Sequence, residues 1–213
     1  MSDPAAMRRR YERGELGDGA AAVSWLGQFR VWFAEAVVEA SVLEPNAMQV
    51  ATVDAAGRPS VRTVLIKGFD DRGVDFYTNY DSEKARDLAV NPYAAAVLVW
   101  LPLERQVRLS GAVARIDRAE TEAYFASRPR GSQLGAWASP QSRVVASRAE
   151  LDALMAAAEE RFAGIDVPAP PNWGGYRIAV ELVEFWQGRP DRLHDRIRHR
   201  LDRGSWVTER LAP

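Results

Sequence analysis

The chain has 213 residues, of which 47% are hydrophobic and 27% charged, with a formal net charge of −1 and no cysteine. That balance describes a folded globular protein with one sizeable core or two small ones, not a disordered chain. The missing cysteines exclude disulfides, thiolate nucleophiles and zinc–thiolate centres, and the near-neutral charge excludes the broad basic field that draws proteins onto nucleic acid. No apolar run reaches the roughly 20 residues that span a bilayer, and "MSDPAAMRRRYERGEL" lacks the apolar centre of a secretory signal. The cytoplasm is the expected location, with no membrane or nucleic-acid partner and no metal site. Basic residues still gather locally, in "RRRYER", "SRPRGS" and "RLHDRIRHR", which suits a small anionic ligand better than a long polyanion.

In chain order, residues 1–20 read as a flexible basic arm and residues 21–213 as a single domain. "AAVSWLGQFRVWFAEAVVEA" repeats Trp25, Leu26, Phe29, Phe33 and Val37 near i, i+4 and i+8, which predicts an amphipathic helix. "AMQVATVD", "VRTVLIKGF" and "VDFYTN" read as strands separated by the turns "AAGRPS" and "DDRG". "SEKARDLAV" predicts a short helix capped by Ser82 and stopped at Asn91-Pro92. "YAAAVLVW" and "RQVRLSGAVARI" are further strands joined by "LPLE". A helix follows from Asp117, with Asp117 and Glu120 spaced as a capping box. "SRPRGSQLGAWASPQS" reads as irregular and "SRAELDALMAAAEERF" as a helix. After "VPAPPNW", the strands "YRIAVELVEFWQ", "DRIRHRL" and "SWVTERL" close the chain, the last two joined by the hairpin turn "DRG". Strands linked by short turns argue for a mainly β, antiparallel sheet or barrel with peripheral helices, an α+β arrangement and not a doubly wound one. Neither "GRPS" nor "WGGY" has the spacing of a nucleotide-binding glycine loop.

Four stretches carry candidate chemistry. In "VRTVLIK", strand alternation puts Arg62 and Lys67 on opposite faces, either as charged strand ends or as two cations reaching an anion. In "FYTNYDSEKAR", Tyr77, Thr78, Ser82 and Lys84 fall at a strand-to-helix junction, where amides, a hydroxyl and an ammonium favour a phosphate unless Ser82 is only a cap. Gln106, polar within a β-branched strand, fits an exposed face equally well. Tyr124, Arg128 and Ser132 recur every four residues, so one helical turn would align phenol, guanidinium and hydroxyl, either as a phosphate grip or as an ordinary solvated helix end. In "EFWQGRPDRLHDR", period two would set Arg192, His194 and Arg196 on one strand face, either a row of cations that persists easily with an anion across it or a solvated strand edge charged against aggregation.

"VEFWQGRPDRLHDR" and the terminal "ERLAP" resemble the pyridoxine/pyridoxamine 5′-phosphate oxidases. So do "MRRRYERGEL", "VRTVLIK", "FYTN", "LERQVRLSG", "YFASRPRGSQLGAWAS", "PQS" and "WGGYRI", in order along nearly the whole chain. The resemblance implies an antiparallel split β-barrel homodimer holding FMN at the subunit interface, and oxidation of pyridoxamine or pyridoxine 5′-phosphate to pyridoxal 5′-phosphate. It implies FMN contacts from Arg62, Lys67, Tyr77, Thr78, Lys84, Gln106, Gln141, Ser142, Trp186 and Arg196. It also implies a substrate-phosphate grip of Lys67, Tyr124, Arg128 and Ser132, with the catalytic pair Arg192 and His194 near the pyridine ring and Arg8 and Tyr11 folding over the site. One position departs: where the family usually reads Ser-Arg-Lys, this chain has Ser82-Glu83-Lys84. A carboxylate there predicts weaker FMN binding unless Glu83 turns outward.

Overall fold

The structure, a computed structural model, describes residues 3, 6, 7, 10–17, 19 and 23–213. Among them are nine strands and five helices: α1 (Trp25–Val38), β1 (Ala47–Val53), β2 (Pro59–Leu65), β3 (Gly68–Asp70), β4 (Gly73–Asn79), α2 (Glu83–Val90), β5 (Tyr93–Trp100), β6 (Arg105–Arg115), α3 (Arg118–Ala126), α4 (Arg130–Ala138), α5 (Arg148–Arg161), β7 (Trp173–Gln187), β8 (Asp195–Asp202) and β9 (Ser205–Arg210). Hydrogen bonds order the strands β2-β1-β5-β6-β7-β4-β3, with β8 on β7 and β9 on β8. The pairs β3–β4, β4–β7, β7–β8 and β8–β9 are antiparallel. None of the described helices is long and apolar enough to cross a membrane.

The chain forms two compact units: one of Met1–Val50, Ala95–Gly111 and Val180–Pro213, the other of Ala51–Ala94 and Ala112–Ala179. In the first, α1 buries Trp25, Gln28, Phe29, Trp32 and Ala36. The buried stripe therefore runs through Trp32 and Ala36, and the Val37 expected on it is 56% exposed. Trp32 meets Phe185 edge-on at 5.3 Å, and the Arg105 guanidinium lies 4.6 Å over its ring. Each such aromatic side chain contributes on the order of 2 kcal/mol through burial. Gln187 is wholly buried because its amide is matched: Arg105 Nε donates to its Oε1 at 2.9 Å, and its Nε2 donates to the Leu103 and Glu104 carbonyls at 3.3 and 3.2 Å.

In the second unit, α3, α4, α5 and the start of β7 enclose Phe125, Leu134, Ala158, Phe162, Val167 and Trp173. The stretch expected to be irregular contains α4, because Pro129, lacking an N–H, suits the position just before a helix. Only half of the expected capping box forms. Asp117 accepts from the Ala119 N–H at 2.7 Å, but Glu120 turns away to accept from Arg177 at 2.9 Å. The Arg177 fork also grips both oxygens of Asp75, its neighbour across β4 and β7, at 2.7 and 2.6 Å. β4 is buried on both faces, so its burial does not alternate along the strand.

Removing Arg177 leaves the mostly buried Asp75 carboxylate unpaired. Arg177→Ala should lower unfolding free energy by about 3 kcal/mol, read as a fall in the urea midpoint at unchanged m-value; a shift equivalent to less than about 0.5 kcal/mol would show that the fork contributes nothing.

Candidate functional site

The second unit carries a cleft of about 280 Å³ lined by Thr63, Val64, Leu65, Lys67, Tyr77, Thr78, Lys84, Tyr124, Arg128, Gln141 and Trp173. Its wall is aromatic. Tyr77 stacks on Tyr124 at 4.1 Å and on Trp173 at 5.4 Å, and Arg128 lies 4.6 Å over the Trp173 ring. The glycine pair of "WGGY" makes room for this. A Cβ on Gly175, which pairs with Tyr77 in the sheet, would stand 2.8 Å from the Tyr77 ring and 2.6 Å from Ile116. Burial pushes the Tyr77 hydroxyl up to about 12 and raises that of Tyr124, so both phenols stay protonated and can donate.

The cleft's cations are short of counter-charge. Lys84 is 7% exposed and donates to Thr78 Oγ1 at 3.1 Å, which in turn donates to Gln141 Oε1 at 2.8 Å. Lys84 pairs with no carboxylate among the described residues; burial, then the neighbouring Arg62, lowers its pKa. Burial also lowers that of Arg128, whose Nη1 is buried with no hydrogen-bond partner among the described residues. Leaving a buried donor unmatched is costly, and a phosphate placed there would match it. Arg128 and Ser132 also line an adjoining depression of about 260 Å³.

Several expected local geometries are corrected. Tyr124, Arg128 and Ser132 do not share a helical turn, because α3 ends at Ala126 and Pro129 separates it from α4; it is the loop between the helices that swings Arg128 over Trp173. Ser82 precedes α2 but makes no side-chain cap bond, its hydroxyl lying 3.5 Å from that of Thr78. Lys67 lies beyond β2, so strand alternation does not set its direction relative to Arg62. Arg62 is held by the chain itself: Nη1 donates to Thr52 Oγ1 and the Ser60 carbonyl at 2.6 and 3.0 Å, and Nη2 to Ser60 Oγ at 2.8 Å. Asp87 stands 3.7 Å away and Glu83 3.8 Å away. Glu83, half exposed, also accepts from Ser60 Oγ at 2.9 Å, so it faces the arginine as well as solvent.

The first unit carries a larger cleft, about 710 Å³, lined by Met7, Arg10, Tyr11, Trp186, Arg189, Asp191, Arg192 and His194. The expected row of Arg192, His194 and Arg196 on one strand face does not form. Asp191 and Arg192 adopt left-handed backbone, φ 54° and 63°, which breaks the extended chain before β8 begins at Asp195. Arg196 instead meets the buried Glu184 carboxylate through Nε and Nη2 at 2.9 and 3.0 Å, and Nη1 donates to the Ala212 carbonyl at 2.8 Å. Arg192 is exposed and makes no hydrogen bond or ion pair among the described residues. His194 packs 4.6 Å from the Trp186 ring, and its Nδ1 accepts from the Arg189 N–H at 3.0 Å. That bond assigns the neutral ring's proton to Nε2. Burial, then nearby Arg192, lowers the His194 pKa.

Of the remaining expected residues, Gln106 and Ser142 line neither cleft, Ser142 being exposed at φ 67°, and Arg8 lies outside the described residues. Sequence reasoning missed Trp173, Arg10 and Arg189; only "WGGY" hinted at the first, as two glycines beside an aromatic mark a close approach.

Residues 34–187 match the family described as pyridoxamine 5′-phosphate oxidase, and residues 173–213 match the pyridoxine 5′-phosphate oxidase C-terminal dimerisation region. The chain belongs to this oxidase family. A relative from Saccharopolyspora erythraea, named pyridoxine/pyridoxamine 5′-phosphate oxidase, is 56% identical over 209 residues, covering 98% of this chain and 94% of the relative. The crystal structure of PhzG from Burkholderia lata 383, in complex with tetrahydrophenazine-1-carboxylic acid, is 34% identical with a TM-score of 0.83, covering 88% of this chain and 92% of that one. A pyridoxamine 5′-phosphate oxidase-related, FMN-binding protein from Nostoc punctiforme PCC 73102, 20% identical with a TM-score of 0.71 over 87% and 97% of the two chains, shares the fold. The split-barrel fold class implied by the sequence resemblance therefore holds for this oxidase-family chain.

Because burial and Arg192 both disfavour the imidazolium, His194 should titrate below 6.5 in an NMR pH series. Arg192→Ala should move the midpoint part of the way back up, since burial remains. A midpoint above 6.5 in the unsubstituted protein would contradict the packing described.

Proposed function

We propose that the protein is an FMN-dependent oxidase of the cytoplasm, a homodimer with FMN at its interface, converting pyridoxamine 5′-phosphate and pyridoxine 5′-phosphate to pyridoxal 5′-phosphate. The observation that carries this reading is the buried, unmatched Arg128 Nη1 in a cleft walled by stacked aromatic rings. It calls for a ligand that is both flat and anionic, and both proposed ligands are phosphorylated rings.

The second unit fits an FMN phosphate at Lys84 and Thr78, with Arg62 beside them, Gln141 orienting Thr78, and Lys67 and Tyr77 along the wall. Gln106, Ser142, Trp186 and Arg196 are proposed as FMN contacts on the family resemblance alone. Lys67, Tyr124, Arg128 and Ser132 would hold the substrate phosphate, guanidinium and phenol donating to its oxygens. For Arg192, His194 and Tyr11, and for Arg8 on the resemblance alone, the proposed partner is the pyridine ring. Bound FMN would supply a two-electron acceptor for a hydride from the carbon bearing the substrate's amine or alcohol, with dioxygen as the final acceptor and hydrogen peroxide as the by-product. Arg192, unpaired and exposed at the cleft mouth, is free to lie against the ring and fix its orientation. Neutral His194, its Nδ1 already accepting, offers Nε2–H as a donor to a polar group of the substrate. Loss of a hydride and a proton from the alcohol leaves the aldehyde; from the amine it leaves an imine, which water converts to aldehyde and ammonia.

Anaerobic addition of pyridoxamine 5′-phosphate to the purified yellow protein should bleach the flavin band, and admitting air should restore it with formation of peroxide. A flavin band that is indifferent to this substrate but bleached by a tricyclic carboxylate such as the PhzG ligand would overturn the substrate assignment. Arg192→Ala should retain FMN and lose about 100-fold in kcat/KM; normal turnover would remove Arg192 from the reaction. Glu83→Arg, exchanging a repulsive charge beside Arg62 for an attractive one, should tighten FMN binding by up to about fivefold, measured by quenching of flavin fluorescence, and no gain would show that Glu83 does not weaken the cradle.

A further inference from the structure

We propose that Glu104 is a latch that holds residues 10–16 as a wall of the first unit's cleft, making it a positioning residue for Tyr11; this deepens, and rests on, the reading that the cleft receives the substrate ring. Glu104 lines no part of the cleft itself. Its Oε2 accepts two successive backbone N–H groups, from Glu12 at 2.8 Å and Arg13 at 2.9 Å. Convergence of consecutive amides on one anion is a directional, charge-assisted grip. Glu104 also sits in left-handed backbone at φ 56°, after the single 3-10 turn Leu101–Leu103. Its carbonyl accepts from Gly188 N at 2.7 Å and from Gln187 Nε2 at 3.2 Å. One residue thereby ties the arm to the strand end that carries Trp186.

Tyr11 adjoins the gripped amides. Its ring lies 5.8 Å from Trp186, edge-on at 89°, and 5.8 Å from His194. The approach is close enough that a Cβ on Gly188 would stand 2.8 Å from Tyr11 Cγ, so Gly188 is the only residue type that leaves the ring its place. Arg13 reinforces the grip through Glu39 at 3.0 Å and a bond to the Pro102 carbonyl. Past the cleft, the arm is closed by Asp195, which accepts from Leu16 N at 3.0 Å and from Arg210 at 3.0 Å, while Arg210 donates to the Leu16 carbonyl at 2.9 Å. Leu16 is buried between these bonds. With Asp195 holding one end, loss of Glu104 frees the end that bears Tyr11.

The test compares FMN-loaded wild type, Glu104→Ala, Glu104→Gln, Tyr11→Ala and the Glu104→Ala/Tyr11→Ala double variant. Glu104→Ala should raise KM for pyridoxamine 5′-phosphate about tenfold with kcat within about twofold, and should speed tryptic cleavage after Arg10 and Arg13 about tenfold. Glu104→Gln, whose amide oxygen still accepts, should recover most of both effects. Tyr11→Ala should raise KM with cleavage unchanged, and the double variant should be no worse in KM than Tyr11→Ala. Wild-type KM and cleavage in Glu104→Ala, or strictly multiplicative KM effects in the double variant, would overturn the latch. If Glu104→Ala loses its flavin or its fold, Glu104→Gln decides by cleavage rate, which should lie above wild type. If wild type itself does not oxidise the substrate, the proposed function fails, and the cleavage rates still decide the latch.

Discussion

A cation buried without its counter-ion is the constraint from which the second unit's cleft follows. Lys84 and Arg128 are both withdrawn from water and both pushed down in pKa by that burial; among the described residues neither forms an ion pair with a carboxylate, Glu83 only partly offsetting the effect on Lys84. A protein tolerates such groups where something else neutralises them or where the strain serves binding. Here the surroundings limit the cost in two ways: Thr78 accepts from the ammonium, and the Trp173 face takes the guanidinium. Neither supplies a negative charge. The arrangement is half of an ion pair, which the proposed phosphate would complete beside the stacked rings of Tyr77, Tyr124 and Trp173.

Contrast within the chain sharpens this reading. Arg177 and Arg196 are also held in the fold, yet each closes on a carboxylate with fork geometry, and that pairing raises their pKa against the opposing effect of burial. Those are structural pairs. Arg62 is intermediate, restrained by Thr52 and Ser60 and close to Asp87 and Glu83. The net charge of −1 is therefore no argument against an anionic ligand: what matters is which cations are left unneutralised, and where.

The first unit solves a different problem. Its cleft brings together Trp186 from the end of β7, Tyr11 from residues 10–16, and Arg192 and His194 from a turn instead of a strand. Left-handed Asp191 and Arg192 cost about 1 kcal/mol each, a strain tolerated at sites where direction matters more than local stability. His194 is kept neutral by burial, and its tautomer is assigned by a backbone N–H.

Order and composition along the chain were enough to determine the β-rich architecture, the strands apart from the split of "VRTVLIKGF" into β2 and β3, the hairpin at "DRG", the α1 and α5 helices and, by resemblance, the oxidase family. They also marked Lys67, Tyr77, Thr78, Lys84, Tyr124 and Arg128, to which the resemblance alone added Gln141, and these do converge on one cleft. These features are legible because periodicity and turn residues act over a few neighbours. Hidden from such reading were the break of "SRPRGSQ" into loop and helix, the left-handed turn that scatters Arg192, His194 and Arg196, and the capture of Arg196 by Glu184. The role of Glu104, 92 residues from the amide it grips, was hidden too. Partner choice among charged groups is settled by distances between segments far apart in the chain, and only the folded structure brings those segments within reach.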